Sequence, residues 1–302
     1  MLPQLPPFLQ ANDTVALAAT ARSIDSATLA QCQATLQLWG YKVVLAENIS
    51  LQHHQFAGTE NERSRAFQKL LDDDNIKAIF CVRGGYGSLQ IIDQLQWKHF
   101  RQKPKWIIGF SDATVLLAHI EARTHTASIH APMCSTFAKT TANCMLHLEK
   151  LLRGKNETIS PEPHALNREG EVTATLTGGN LSVLYSMLGS KSLPSWKRKI
   201  LFLEDLDEYL YHIDRLMLAL KRSGRLKDLA GLLVGSFSDM RDHAIPFGEN
   251  AYHIIQKHTQ TYNYPIAFNF PAGHEANNFP LIMGGEYRLS VQAQEVKLHF
   301  ST

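Results

Sequence analysis

Three residues in this sequence have the types and the surroundings that hydrolytic chemistry needs: Ser111, Glu204 and His274. Each stands where a short apolar run of strand character gives way to a polar turn. A serine becomes a nucleophile for acyl transfer when a histidine takes its proton and a carboxylate orients that histidine. The order serine, acid, histidine is also that of α/β hydrolases, although the order differs between unrelated folds.

Ser111 lies in the pattern expected for a nucleophile on a sharp turn. Residues 106–108 are apolar and strand-like, and helical spacing begins at Ala113. Gly109 precedes the serine by two positions and Ala113 follows it by two, which matches the G-x-S-x-small form of a nucleophile elbow. Small residues are needed there because the turn brings chain segments close together. The alternative is that Ser111 or Asp112 only caps the helix.

The acid and the histidine each have a second interpretation. Glu204 ends a predicted strand at residues 200–203 and begins an acidic run, so Glu204, Asp205 and Asp207 are also candidate ligands of a divalent cation. We favour instead a position for Asp207 and Glu208 in the first turn of the helix at residues 209–221, where the helix dipole stabilises acids. His274 follows a Pro-Ala-Gly loop, and no second histidine four residues on makes a zinc motif.

A glycine-rich loop, RGGYGS at residues 83–88, follows a predicted strand at residues 76–82. It lacks the Lys-Ser/Thr of a P-loop and the G-x-G-x-x-G of a dinucleotide fingerprint. Glycines allow a backbone N–H to approach a ligand oxygen, so the loop is a candidate for a second oxyanion donor. A plain turn remains the alternative.

The elements that must position these residues alternate between strand and helix as far as residue 129. This alternation predicts a parallel sheet with helices on both faces. The polar, proline-containing residues 154–170 predict a linker between residues 1–153 and a C-terminal domain at residues 171–302. Within that domain we expect strands at residues 171–176, 200–203, 232–237 and 265–270, and two alternating strands at residues 287–300.

Composition excludes several classes of protein. The 302 residues are 44% hydrophobic and carry a formal net charge of +2, without the basic footprint of a nucleic-acid-binding protein. No apolar run approaches the ~18 residues that span a bilayer, and the N-terminus does not resemble a secretory signal. The four cysteines are scattered, and we expect free thiols in a reducing, cytoplasmic compartment. No metal or other cofactor is expected.

Taken together, RGGYGS, IIGFSDAT, TGGNLS, LFLEDLDEYLYHIDR and PAGHEANNFPLIMG resemble the LD-carboxypeptidase family from the first strand to about residue 285. Its members include murein tetrapeptide carboxypeptidases and microcin C immunity peptidases. The resemblance implies a flavodoxin-like or Rossmann-like N-terminal domain and a C-terminal α/β domain with a small β-barrel-like sheet. It implies a triad of Ser111, Glu204 and His274, with the backbone N–H groups of Gly85 and Asp112 as the oxyanion hole, and a possible homodimer.

The resemblance also implies a reaction, the release of a C-terminal D-alanine from a muropeptide tetrapeptide during peptidoglycan recycling. Arg83, Gly84 and Tyr86 are the candidate substrate contacts, and Arg83 is one candidate for the substrate carboxylate. A microcin-type peptidase acting on an aminoacyl-nucleotide conjugate remains open, because the triad does not contact the group that distinguishes these substrates. A non-catalytic small-molecule-binding module is a further alternative, and a dinucleotide oxidoreductase is disfavoured by the missing fingerprint.

Overall fold

The computed structural model describes residues 2–301, which form two six-stranded sheets with helices packed against them. The strands are β1 Thr14–Ala18, β2 Lys42–Leu45, β3 Ile76–Cys81, β4 Trp106–Gly109, β5 Ser128–His130, β6 Gly170–Asn180, β7 Ile200–Leu206, β8 Gly231–Ser238, β9 Ile266–Ala267, β10 Leu281–Met283, β11 Glu286–Gln292 and β12 Glu295–Ser301. The α-helices are α1 Ser26–Leu38, α2 Glu60–Asp72, α3 Ser88–Ile91, α4 Lys98–Gln102, α5 Thr114–Thr124, α6 Cys134–Phe137, α7 Ala142–Leu152, α8 Leu181–Ser186, α9 Leu210–Arg222 and α10 Ala251–Thr259.

The first sheet has the order β10-β5-β4-β3-β1-β2, and β1 to β5 run parallel. All four residues of β4 are buried, as are the last four of β3. Continuous burial is expected of parallel strands that helices cover on both faces. The α/β architecture and the parallel sheet predicted from the alternation of elements are confirmed for this part of the chain.

One strand of the first sheet comes from the far end of the chain. β10 pairs antiparallel with β5, Leu281 opposite His130 and Met283 opposite Ser128. The first sheet is therefore mixed rather than purely parallel, and the segment after residue 171 is not confined to the second sheet. Three apolar residues do not show from sequence alone which sheet they will complete.

The second sheet has the order β12-β11-β6-β7-β8-β9. β6 to β9 are parallel, whereas β11 pairs antiparallel with both β6 and β12. In β11 and β12 every second side chain is buried, which confirms the two alternating strands expected at residues 287–300. The strand expected at residues 265–270 is shorter than predicted, since only Ile266–Ala267 pairs with β8.

The helix that follows the serine turn lies between the two sheets. α5 contacts β4 and β5 of the first sheet, β6 of the second sheet, and the helix α8 that follows β6. Most of its side chains are buried, as a helix enclosed on several sides requires. α5 therefore packs against elements of both sheets, directly after the turn that carries Ser111.

The expectation that all four cysteines are free thiols is wrong. Cys32 of α1 and Cys134 of α6 are joined by a disulfide, whereas Cys81 and Cys144 are free and buried. The bond joins residues 102 positions apart, a pairing that sequence spacing does not reveal. The cysteines therefore no longer argue for a reducing compartment. Among the helices of residues 2–301, none combines the length and the apolar character needed to cross a bilayer.

Candidate active site

Ser111 occupies a strained position between β4 and α5. Its φ is 59°, in the left-handed region that non-glycine residues seldom adopt. A single 3₁₀ turn, Ser111–Ala113, connects the strand to the helix. Strain of this kind persists only where the surrounding structure enforces it, and it clusters at functional sites. The structure therefore places the serine on the sharp strand-to-helix turn that the sequence pattern predicts.

Two glycines make room for this turn. A Cβ built on Gly109 would lie 2.8 Å from the Cβ of Ala113 and 3.0 Å from that of Cys81. A Cβ on Gly84 would lie 3.0 Å from both Cβ and Oγ of Ser111. The first glycine allows the chain to fold back on itself, and the second allows the glycine-rich loop to approach the serine. Both contacts agree with the steric reason for small residues at these positions.

The glycine-rich loop is held against the serine turn by buried polar groups. The backbone N–H of Ser88 donates to Oδ2 of Asp112 at 2.9 Å, and burial raises the pKa of that carboxyl. Beneath the loop, the buried Arg63 donates to the carbonyl of Gly87 at 2.8 Å. Gly85 has a φ of 100°, which favours glycine, and is exposed. The two predicted oxyanion donors, Gly85 and Asp112, thus lie on segments that are tied to each other.

Glu204 lies on β7, fully buried. Its neighbour Asp205 is also buried, and accepts hydrogen bonds from Nδ2 of Asn180 and the backbone N–H of Ser182, each at 2.9 Å. Burial, with a smaller contribution from the charge of Glu204, raises the pKa of Asp205 to about 7. Glu204 and Asp205 are therefore both shielded from solvent, but their carboxylates have different hydrogen-bond partners.

The other two acids of this run do not have the role expected for them. α9 begins at Leu210 after Tyr209, and its first turn contains no acid. Asp207 instead forms a two-point ion pair with Arg241, and Glu208 contacts Nδ1 of His212. The prediction that Asp207 and Glu208 lie in the first helical turn is wrong, because β7 and the turn after it extend further than the apolar run suggested.

His274 is paired with Glu204. Its Nδ1 lies 2.6 Å from Oε2 of Glu204, and its side chain is only 13% exposed. Gly273 makes this approach possible, since a Cβ there would lie 3.1 Å from the same Oε2 and 2.3 Å from Oγ of Ser236. The backbone N–H of Gly273 donates to the buried Asn278, which further fixes the loop.

Two opposing effects determine the pKa of His274. Burial alone would lower it, but the negative charge of Glu204 and the hydrogen bond to that carboxylate outweigh burial and raise it. A histidine with a raised pKa is a stronger base, and the carboxylate stabilises the imidazolium that forms when it takes a proton.

The structure brings the histidine and the serine turn together through Phe110. The ring of Phe110, the residue before Ser111, lies 4.7 Å from the ring of His274. The hydrogen bonds among residues 2–301 include Glu204 with His274 but none between His274 and Ser111. Catalytic contacts are often longer in a ligand-free site and tighten when substrate binds.

The residues predicted to contact substrate lie at the edge of this arrangement. Arg83 is exposed and donates from Nη1 to the carbonyl of Ser23 at 2.8 Å. Tyr86 is 47% exposed and packs against Phe56, with ring centres 6.2 Å apart. Gly84, by contrast, is buried against the serine itself.

Sequence reasoning missed a contact that joins the two halves of the site. The backbone N–H of Asn180 donates to Oγ1 of Thr114, in the first turn of α5, at 3.2 Å. Gly179 permits this, since a Cβ there would lie 2.7 Å from the same oxygen. Asn180 also lies opposite Glu204 in the pairing of β6 with β7. The TGGNLS motif, noted above only for the family resemblance, was the available signal for this junction.

A buried histidine behind the pair was also missed. His130, at the end of β5, packs between Phe110 and Phe202 with ring centres 5.6 and 4.9 Å away. Burial lowers its pKa to about 4, so it is neutral at physiological pH. Within the part of the chain that the structure describes, no group of three or more His, Cys, Asp or Glu residues is arranged to hold a metal ion.

Comparisons with known proteins identify the family. Residues 14–131 match the LD-carboxypeptidase N-terminal domain and residues 173–289 match the LD-carboxypeptidase C-terminal domain. A probable murein peptide carboxypeptidase of Bacillus subtilis is 34% identical over 239 residues, 77% of this chain and 74% of that relative.

Solved structures show the same fold. The crystal structure of muramoyltetrapeptide carboxypeptidase from Oxalobacter formigenes superimposes with a TM-score of 0.87 at 25% identity, covering 96% of this chain and 99% of that one. The structure of MccF, a microcin C7 self-immunity protein, in complex with glutamyl sulfamoyl guanosine also has a TM-score of 0.87. Its identity is 21%, and the match covers 99% of this chain and 98% of MccF.

Proposed function

The chain belongs to the LD-carboxypeptidase family, and we propose that it is a serine peptidase with Ser111 as nucleophile, His274 as base and Glu204 as the acid that orients the base. One observation carries the assignment. The buried Glu204–His274 hydrogen bond of 2.6 Å lies beside the only serine of residues 2–301 that has a positive φ.

The proposed reaction follows from these positions. His274 accepts the proton of Ser111 through Nε2, because Nδ1 is engaged by Glu204. Ser111 Oγ then attacks the amide carbon. The oxyanion that forms accepts hydrogen bonds from the backbone N–H groups of Gly85 and Asp112. Each donor of this kind contributes about 3 kcal/mol to the transition state. His274 returns the proton to the departing amine, and water releases the acyl group by the same steps. The proposed steps use only groups of the chain and one water molecule, and involve no metal or other cofactor.

We propose a muropeptide tetrapeptide as the substrate, with cleavage of the amide between an L-centre and a C-terminal D-alanine. The support is the names of the relatives, which describe murein peptide and muramoyltetrapeptide carboxypeptidases. Arg83, Gly84 and Tyr86 are the proposed substrate contacts, since they belong to the loop that approaches Ser111. A cytoplasmic location, a role in peptidoglycan recycling and a homodimer are proposed with this substrate.

We also retain as a proposal the division into residues 1–153, a linker at residues 154–170 and a C-terminal domain at residues 171–302. β6 begins at Gly170, in agreement with the proposed boundary. β10 is the exception, since it crosses back to the first sheet.

Incubation with L-Ala-γ-D-Glu-diaminopimelate-D-Ala, followed by mass spectrometry, tests the proposal. We expect the tripeptide and free D-alanine, and no products with the Ser111→Ala variant. A parallel incubation with glutamyl sulfamoyl adenosine tests the microcin-type alternative. Cleavage of the conjugate alone would replace the proposed substrate, and turnover of neither compound would contradict both.

A further inference from the structure

Arg22 is a cation without an evident partner beside the candidate active site. It follows β1 at the same edge of the first sheet as the glycine-rich loop and Ser111, and it is half-buried. Its Nε is shielded from solvent and, within residues 2–301, has no hydrogen-bond partner. The arginines of this part of the chain that form ion pairs are Arg153, Arg241 and Arg288, and Arg22 is not among them. A shielded donor without an acceptor is costly unless a ligand supplies one.

The other two arginines at the glycine-rich loop are already engaged. Arg63 donates to the carbonyls of Thr20, Gly58 and Gly87 and to the side chain of Gln90, and so holds the loop from beneath. Arg83 is exposed and directs Nη1 at a backbone carbonyl. Arg22 is thus the arginine at this loop whose side chain has no hydrogen-bond acceptor among residues 2–301.

The distance from Arg22 to the serine suits a specific part of a peptide. A Cβ built on Gly84 would lie 3.0 Å from Oγ of Ser111, and a Cβ built on Gly85 would lie 2.6 Å from Cδ and Nε of Arg22. The two side chains therefore flank one dipeptide and lie at most about 12 Å apart, since consecutive Cα atoms are ~3.8 Å apart and each Cα–Cβ bond adds about 1.5 Å. The distance from an attacking oxygen to the scissile carbon, the length of one leaving residue and one hydrogen bond together span about 10 Å, which lies within that limit.

We propose that Arg22 binds the free α-carboxylate of the residue that leaves. This rests on the proposed function, because only a carboxypeptidase requires that carboxylate. A guanidinium forms paired, charge-assisted hydrogen bonds with a carboxylate, which fixes its orientation as well as its charge. Arg22 is then the residue that restricts cleavage to the last amide of the chain, since an internal peptide bond presents no anion at this position.

Two substrates separate this role from a structural one. The tetrapeptide with a free C-terminal acid and the same peptide with a C-terminal carboxamide are compared in steady-state assays. Wild type should prefer the acid. Arg22→Gln should lower kcat/KM for the acid about 10- to 100-fold, mainly through KM, because hydrogen bonds to a charged group carry that much discrimination. Turnover of the carboxamide should be unchanged, and Arg22→Lys should recover part of the preference.

Arg65→Gln is the matched control, since Arg65 is exposed on α2 and outside the site. It should leave both rates unchanged. Equal losses on acid and carboxamide in Arg22→Gln, or an unaltered preference for the acid, would overturn the assignment. If a thermal melt shows that Arg22→Gln is unfolded, the test uses Arg22→Lys. A lower ratio of kcat/KM for the acid to kcat/KM for the carboxamide than in wild type supports the assignment, and an unchanged ratio overturns it. Wild type that cleaves neither peptide would overturn the proposed function itself, and that outcome is distinguishable from the failure of Arg22 alone.

Discussion

The two halves of the candidate site are built by different physical means. In the first sheet, Ser111 is positioned by backbone strain and by close packing against Gly84. In the second sheet, Glu204 and His274 are positioned by buried charge and hydrogen bonds, with Asp205 beside them. The position of Ser111 therefore depends on steric fit, whereas the positions of Glu204 and His274 depend on the protonation state of these side chains.

This difference predicts which half responds to which perturbation. Added volume near the glycine-rich loop should misplace the nucleophile without altering the pH dependence of the rate. Removed charge on β7 should alter the pH dependence without crowding the serine. The proposed proton transfer from Ser111 to His274 is the step that needs both halves.

The largest effect is expected where the halves meet. Ser111→Ala and His274→Ala should each lower kcat by about 10⁴-fold or more, because a nucleophile and its base act as one unit. The double variant should be little worse than either single variant. Steady-state rates with thermal melts for all three measure this, and additive losses would show that the two residues do not share a step.

Glu204→Gln should cause the next largest loss, about 10²- to 10⁴-fold in kcat, because the base loses its orienting charge. The sign of the pH effect is also defined. Glu204 raises the pKa of His274, and only neutral His274 accepts a proton, so the wild-type rate falls as pH drops through that raised pKa. In the variant this fall should move to lower pH.

Glu208→Gln is the control for that experiment, since Glu208 contacts His212 outside the site. Its rate and pH profile should match wild type. If the fall in rate at acid pH occurs at the same pH in Glu204→Gln as in wild type, the carboxylate does not set the pKa of His274.

Gly84→Ala should have an intermediate and purely steric effect. The new methyl group would lie 3.0 Å from Oγ of Ser111, and Gly84 does not have a positive φ that would add backbone strain. We expect kcat/KM to fall about 10- to 100-fold, since small displacements of reacting groups cost that much. The pH at which the rate falls on the acid side should be unchanged.

Gly231→Ala is its matched control. A Cβ there would lie 3.2 Å from Cγ1 of Val172, in the second sheet and away from the site, again without a positive φ. It should reduce the melting temperature but not the rate. Equal activity losses in both variants would mean that crowding acts through stability rather than on the nucleophile.

Asp205→Asn should have the smallest effect, on stability rather than on rate. The pKa of Asp205 is about 7 in the folded chain, above its value of 3.8 in the unfolded one. The contribution of Asp205 to the free energy of unfolding is therefore fully present below pH 3.8. It is lost as pH rises towards 7, by at most about 1.4 kcal/mol per pH unit. The variant should lose this dependence.

Thermal melts between pH 4 and pH 8 test this, with Asp207→Asn as the control. The ion pair with Arg241 lowers the pKa of the exposed Asp207, so its contribution has the opposite sign and is confined to more acidic pH. A difference between Asp205→Asn and wild type that does not change with pH would show that Asp205 is ionised throughout.

Much of the first half could be predicted from sequence because the relevant forces are local. The change from an apolar run to helical spacing around Ser111, with small residues two positions before and after it, specifies a tight turn within about ten residues. The same holds for β11 and β12, where alternation alone indicates which face is buried. For the triad as a set, the resemblance of five motifs supplied what local patterns left open.

Other features were decided only by the tertiary structure. Nothing within ten residues of Cys32 points to Cys134, and three apolar residues at 281–283 suit either sheet. Asp207 looked like a helix-stabilising acid until the fold brought Arg241 to it. No local pattern distinguishes Arg22 from other loop arginines, and its position beside Gly85 depends on β1 and the glycine-rich loop meeting at one edge of the sheet.

By itself, the sequence determined the type and order of most elements and the candidate residues at their ends. These properties follow from side-chain volume and hydrophobic period, which act over a few residues. The tertiary structure alone decided which of those residues face each other, which charged groups are buried from solvent and which hydrogen-bond donors lack an acceptor. Such properties depend on contacts between residues far apart in the chain, separated by 34 positions for Asp207 and Arg241, 70 for Glu204 and His274, and 102 for Cys32 and Cys134. Packing rather than local pattern selects these contacts.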